Sequence, residues 1–147
     1  MKIAKKLKLL NFAFGVVGMI LFLIQGQYMD INYDHLKGME DGPRMLFRSA
    51  HIYFLLASII NLCIGVYWEV RNDKLVFIKN IISSIAIISP IFLLFGFFYE
   101  PFMEALSRPY STMGLYALFG LGILLFIIKL IESKLFSFKF LKAGENN

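Results

Sequence analysis

Charge is scarce in this sequence, and its distribution is uneven. Asp, Glu, Lys and Arg make up 17% of the chain. They leave four runs with no formal charge at all: Leu9–Met29, Ser49–Trp68, Asn80–Tyr99 and Pro109–Ile128, each 20 or 21 residues long. A helix rising about 1.5 Å per residue needs roughly 20 residues to cross a hydrocarbon core of about 30 Å. Four such runs in 147 residues leave little chain for a soluble domain. Cysteine is nearly absent. Cys63 stands alone, which excludes an internal disulfide and a redox pair. Acids are missing from the centres of all four runs, which speaks against proton-coupled transport. The chain also lacks a nucleophile-plus-base pair, a Gly-rich phosphate loop, a long internal repeat and a Pro/Ser-rich linker.

What is present is apolar. Hydrophobic residues make up 59% of the chain and the mean hydropathy is +0.70, well above soluble domains. We expect an all-α polytopic membrane protein, a single four-transmembrane-helix bundle. Its spans fall at about 8–28, 47–68, 78–99 and 110–131, with loop 29–43 outside. The basic start "MKIAKKLK" suggests a signal peptide. The run behind it is long enough to span, however, and "FLIQGQYMD" offers no small-x-small cleavage site, so it is expected to stay as the first helix. With the N-terminus inside, the inner segments hold eleven Lys/Arg and four acids, while the two outer loops hold four and six. By the positive-inside rule both termini are cytoplasmic. The net charge of +5 then reflects topology and contact with the lipid bilayer, with no nucleic-acid patch. The tail "SKLFSFKFLKAGENN" alternates basic and aromatic residues, as a membrane-surface segment does.

Each run has a polar or small-residue side. Asn11, Gly15, Gly18 and Gln25 fall on one stripe of the first helix and are expected to face protein. The second helix starts at Asp41-Gly42-Pro43. Arg44, Arg48, His51, Ser58, Asn61 and Gly65 lie within about 80° of His51 on a helical wheel. Ile52, Tyr53, Leu56, Ile60 and Ile64 are assigned to lipid. In the third helix Asn80, Ser83 and Ser84 cluster in angle. Pro90 frees a backbone carbonyl there that Ser89 is placed to satisfy. Gly114, Ala117, Gly120 and Gly122 give the fourth helix a small-residue run suited to close packing.

The candidate site is an outer mouth of Arg44, Arg48, His51, Glu100, Glu104 and Arg108. Arg48 is expected to pair with Glu100, and Glu104 with Arg108 at i, i+4. His51 and Arg48 are the candidates for a cofactor such as haem or a quinone. His35 and His51 are the candidates for a metal, although their spacing matches no metal motif. Asn11, Ser58, Asn61, Asn80, Ser83 and Ser84 are the intramembrane polar groups, and Asn61, the deepest on the second helix, is read as interhelical glue.

The order "GMILF…D…H…GPRMLFRSAHIYFLLASIINLCIGVYW…FFYEPFMEALSRP…GLYALFG" resembles small uncharacterised bacterial four-helix inner-membrane proteins over most of the chain. This resemblance implies the fold and carries no activity. The stretch "HIYFLLASIINLCIGVYW" looks like the histidine-bearing helices of haem–copper oxidase subunit I over one helix, which implies a haem at His51. We therefore expect a non-enzymatic inner-membrane protein with interaction or accessory contacts to a membrane partner or a second copy. The rival reading is a haem- or quinone-interacting redox protein using His51 and Arg48. A third is a small oligomeric transporter.

Overall fold

The structure, a computed structural model, describes residues 2–68, 75–103 and 107–144, with side chains described from Ile3 to Ile131. Every regular element among the described residues is helical. They are α1 (Lys2–Tyr33), α2 (Asp41–Tyr67), α3 (Val76–Tyr99) and α4 (Pro109–Gly144), with short 3-10 turns at Asp34–Leu36 and Glu100–Phe102. Four helical stretches are long and apolar enough to cross a membrane: Ile3–Leu36, Asp41–Tyr67, Val76–Phe102 and Pro109–Ile131. Glu104 lies outside the described residues, so the Glu104–Arg108 pairing does too.

The first helix runs further than its charge-free run. Loop 29–43 contracts, because α1 continues to Tyr33 and α2 starts at Asp41. Tyr28, Met29 and Tyr33 pack on the buried cluster of Leu36, Phe47, Ala50 and Phe97. That packing rewards helical continuation past Asp30, the first charge. The chain then reverses through Asp34, His35 and Leu36, all at positive φ (45°, 56° and 63°). Each costs on the order of 1 kcal/mol or more. Burial of Leu36, 3% exposed, offsets that strain.

Helices α1 and α2 make the most extensive contact, followed by α3 with α4 and α2 with α3. The α1–α2 seam is antiparallel and tight. A Cβ on Gly15 would lie 2.6 Å from the backbone nitrogen of Leu62, and one on Gly65 would lie 2.5 Å from the backbone of Phe12. Asn11, Gly15, Gly18 and Gln25 are all buried. Burial separates the inner from the outer helices. It covers 39% and 44% of the most apolar stretches of α2 and α3, but 17% and 22% of those of α1 and α4.

The division of α2 into two faces needs one correction. Ile52 and Leu56 are exposed, but Ile64 is 3% exposed. It packs with Ile82, Ala86, Leu121 and Ile128. Because α2 touches both α1 and α3, its buried arc includes Ala50, Ala57 and Asn61. That arc centres about 80° away from His51. The same rotation leaves Arg48 exposed. On α4 only part of the small-residue run is packed. A Cβ on Gly114 would lie 2.7 Å from Leu93 Cγ, whereas among the described residues nothing lies within 4 Å of a Cβ at Gly120 or Gly122.

Candidate functional site

The connections α1–α2 and α3–α4 meet at one end of the bundle, the mouth. Aromatic side chains fill it. Phe47 is wholly buried, with its ring centroid 5.2 Å from Phe97, 5.3 Å from Tyr33 and 5.8 Å from Phe102. Tyr28 packs edge-on against Phe97 and Phe98, and its hydroxyl shares a 3.5 Å hydrogen bond with that of Tyr33. Edge-to-face pairs of this kind add about 0.5–1.5 kcal/mol beyond the area they bury.

The charged groups of the mouth do not gather around one another. Glu100 is 1% exposed. Its Oε1 accepts the Ser111 backbone N–H at 2.7 Å and its Oε2 accepts the Ser111 hydroxyl at 2.5 Å. Ser111 is the third residue of α4, where a helix leaves its N–H groups unpaired. The carboxylate therefore caps α4 from the end of α3. The expected Arg48–Glu100 pair is not formed, since Glu100 is committed to Ser111 and Arg48 points away, exposed. Arg44 is also spoken for. Its guanidinium donates to the Met39 carbonyl and pairs with Asp41 at 3.4 Å, which ties down the start of α2. Arg108 precedes α4 and offers its carbonyl to Thr112 N–H at 2.9 Å.

The two histidines sit in different settings. His35 is exposed in the turn, its Nε2 2.7 Å from Asp30. His51 is half-buried and stacks on Phe22 with ring centroids 4.0 Å apart. Its Nδ1–H donates to Gln25 Oε1 at 3.3 Å, because an amide oxygen can only accept. Gln25 Nε2 is buried with no partner among the described residues. No group of three His, Cys, Asp or Glu side chains is placed to hold a metal among the described residues.

Two of the deeper polar groups, Asn61 and Asn11, join helices. Asn61 Nδ2 donates to Ala86 O of α3 at 2.6 Å and to Ala57 O of its own helix at 2.9 Å. Ala86 is four residues before Pro90, so its carbonyl is the one that proline deprives of a helical N–H. Ser89 Oγ donates to the same oxygen at 3.2 Å. Asn11 Nδ2 donates to Ser83 Oγ at 2.7 Å and to Leu7 O at 2.8 Å, tying α1 to α3. Ser58 and Ser84 bond back within their own helices, to Phe54 O and Asn80 O.

Sequence reasoning missed the aromatic filling of the mouth and the role of Ser111. Pro109 at the first turn of α4 was an available signal for the second. Its start exposes N–H donors, and Glu100 accepts that of Ser111. A further feature lies along the flank. Leu56 and Ile60 of α2 and Leu115, Phe119, Gly122 and Phe126 of α4 line an apolar groove of about 430 Å³, where α2 and α4 touch only slightly.

Fold and site together define a helical bundle with four helices able to cross a membrane. No protein-family model, curated protein or solved structure matches the chain.

Proposed function

We propose that this chain is an integral membrane protein of a bacterial inner membrane, with both termini on the cytoplasmic side. In this reading it has no catalysis of its own and acts as an accessory protein, through lateral contact with another membrane-embedded helix. The basic excess of the segments assigned to the inside supports the orientation. One observation carries the accessory reading: the α2–α4 groove, lined by Gly122 of α4, where a Cβ would meet nothing within 4 Å among the described residues. Close approach over small residues is how helices associate within a bilayer, where no hydrophobic force drives them together.

The test is in-membrane photo-crosslinking. A photoreactive phenylalanine analogue replaces Phe119 in the groove, or Ile52, which is exposed on α2 and not among the groove's lining residues. Discrete protein adducts are expected from position 119 and not from position 52. Lipid adducts alone at both positions overturn the accessory reading.

A further inference from the structure

The non-glycine residues at positive φ among the described residues all fall in one turn, between α1 and α2. Asp34, His35 and Leu36 are left-handed in succession, and Gly38 follows at φ 76°. Glycine takes this conformation freely, whereas other L-residues crowd their Cβ against the following carbonyl oxygen. Aspartate and histidine visit it more often than most residues, but for a bulky residue it is an outlier. The strain is thus heaviest at Leu36. Leu36 is also the one buried residue of the turn, since Asp34, His35, Lys37 and Gly38 are all exposed. It packs with Phe47, Ala50 and Phe97 in the mouth.

Strain and burial oppose each other here with similar strength. One left-handed residue is disfavoured about five- to thirtyfold, so three in succession oppose closure by roughly a hundredfold or more. Burying a leucine side chain favours closure by about 10- to 150-fold. The rest of the turn adds little. His35 pairs with Asp30 at 2.7 Å and Lys37 with Asp34 at 3.6 Å, but these side chains are between 39% and 76% exposed. Exposed pairs contribute about fivefold at most. The Lys37 N–H donates to the Asp34 carbonyl at 3.0 Å, in exchange for a bond to water.

We infer that Asp34–Leu36 is a two-state latch on the aromatic mouth. Closed, Leu36 plugs the mouth against Phe47 and Phe97. Open, the turn relaxes to ordinary φ, and Leu36 leaves both rings uncovered. Strain favours the open state and one buried side chain favours the closed state, so both are populated. The latch is independent of the α2–α4 groove and of any partner seated there.

Two measurements on the full chain in mild detergent test it. Solvent exchange of the Lys37 amide hydrogen reports the turn, because its bond to Asp34 breaks when the turn relaxes. A para-fluorophenylalanine in place of Phe47, followed by fluorine NMR with a water-soluble gadolinium chelate, reports how far that ring is uncovered. In the unaltered chain, protection of the Lys37 amide should not exceed about tenfold. The Ala57 amide, in the buried arc of α2, should be protected by several orders of magnitude more. Asp34→Gly relieves one strained, exposed residue. It should raise Lys37 protection about fivefold and reduce broadening at position 47. Leu36→Ala keeps the strain and loses most of the burial. It should abolish Lys37 protection and increase the broadening, while Ala57 stays protected and shows that the bundle is folded.

Loss of Lys37 protection in Asp34→Gly, as added flexibility alone would cause, overturns the strain, and so does no change. Broadening that fails to fall in Asp34→Gly or to rise in Leu36→Ala overturns the plug, as does Lys37 protection that survives Leu36→Ala. Equal protection of Lys37 and Ala57 in the unaltered chain means that the turn opens only with the whole bundle, which overturns the latch.

Discussion

Helices α1 and α4 both present glycines, but they use them differently. Gly15 of α1 and Gly65 of α2 bring the two backbones to within a methyl group of each other, while a Cβ at Gly120 or Gly122 of α4 would meet nothing within 4 Å among the described residues. The residues around the glycines account for the difference. The α1 stripe also carries Asn11 and Gln25, and both amides find hydrogen-bond partners on neighbouring helices, Ser83 and His51. No asparagine or glutamine accompanies Gly120 and Gly122 on α4. Small residues permit close approach within an apolar medium, and polar partners make it favourable. A glycine run alone therefore marks a surface that can be approached from outside the chain.

Substitutions at the two kinds of glycine give the sharpest contrast. Gly65→Ala places a methyl group against the Phe12 backbone, which cannot give way as a flexible side chain can. It should destabilise the bundle by about 3 kcal/mol or more. Gly122→Ala should be neutral or stabilise by up to about 1 kcal/mol, because alanine is the better helix former. Thermal unfolding in mild detergent, followed by helical circular dichroism, reads both. Equal effects at the two positions would remove the distinction between the seams.

The second contrast sets a buried cap against a clash. Glu100→Ala removes both acceptors from Ser111 and leaves the N–H of α4 unsatisfied inside the protein. A loss of about 2–3 kcal/mol is expected. Glu100→Gln keeps one carbonyl oxygen to accept the Ser111 N–H and should recover at least half of that loss. An equal loss in Gln and Ala, in the same unfolding measurement, would show that capping is not what Glu100 does.

The mid-helix joint should be weaker and coupled. Asn61→Leu removes a bond between helices that contributes about 0.6–2 kcal/mol in this setting. Pro90→Ala restores an N–H that competes with Asn61 for the Ala86 carbonyl. In the Pro90→Ala background, Asn61→Leu should therefore cost less by about 0.5–1 kcal/mol, a non-additivity typical of residues sharing one partner. Strict additivity in the double-mutant cycle would mean that Ala86 O is not the shared acceptor.

How far the sequence disclosed this arrangement depends on whether one helix or two had to be known. The stripe Asn11, Gly15, Gly18 and Gln25 was visible from spacing within one helix, and all four residues are buried. Pro90 and Ser89 were likewise readable, because a proline frees a carbonyl at a fixed distance along its own chain. Asn61 as the principal donor to that carbonyl was not readable, since its reach depends on the register of α2 against α3. The continuation of α1 to Tyr33 was not readable for a related reason. The first charge, Asp30, suggested an end to the apolar run, but Tyr33 and Leu36 find the Phe47–Phe97 cluster across the bundle. Ile64 was set toward lipid because the wheel was centred on His51, whereas contacts on two sides of α2 centre the buried arc on Ala50, Ala57 and Asn61.

Arg48 is the smallest expected effect and the clearest lesson about charge. Opposite signs at one end of a bundle suggested a pair with Glu100. A buried carboxylate, however, is satisfied equally well by backbone and hydroxyl donors. Ser111 supplies both without the entropy of ordering a long side chain. Arg48 is left in the position of an ordinary exposed residue, where substitutions usually change stability by less than about 0.5 kcal/mol. Arg48→Ala should fall in that range. Combined with Glu100→Ala, the two losses should add within about 0.5 kcal/mol, as they do for sites with no shared partner. A coupling above about 1 kcal/mol in that cycle would return Arg48 to the mouth and take Glu100 away from Ser111.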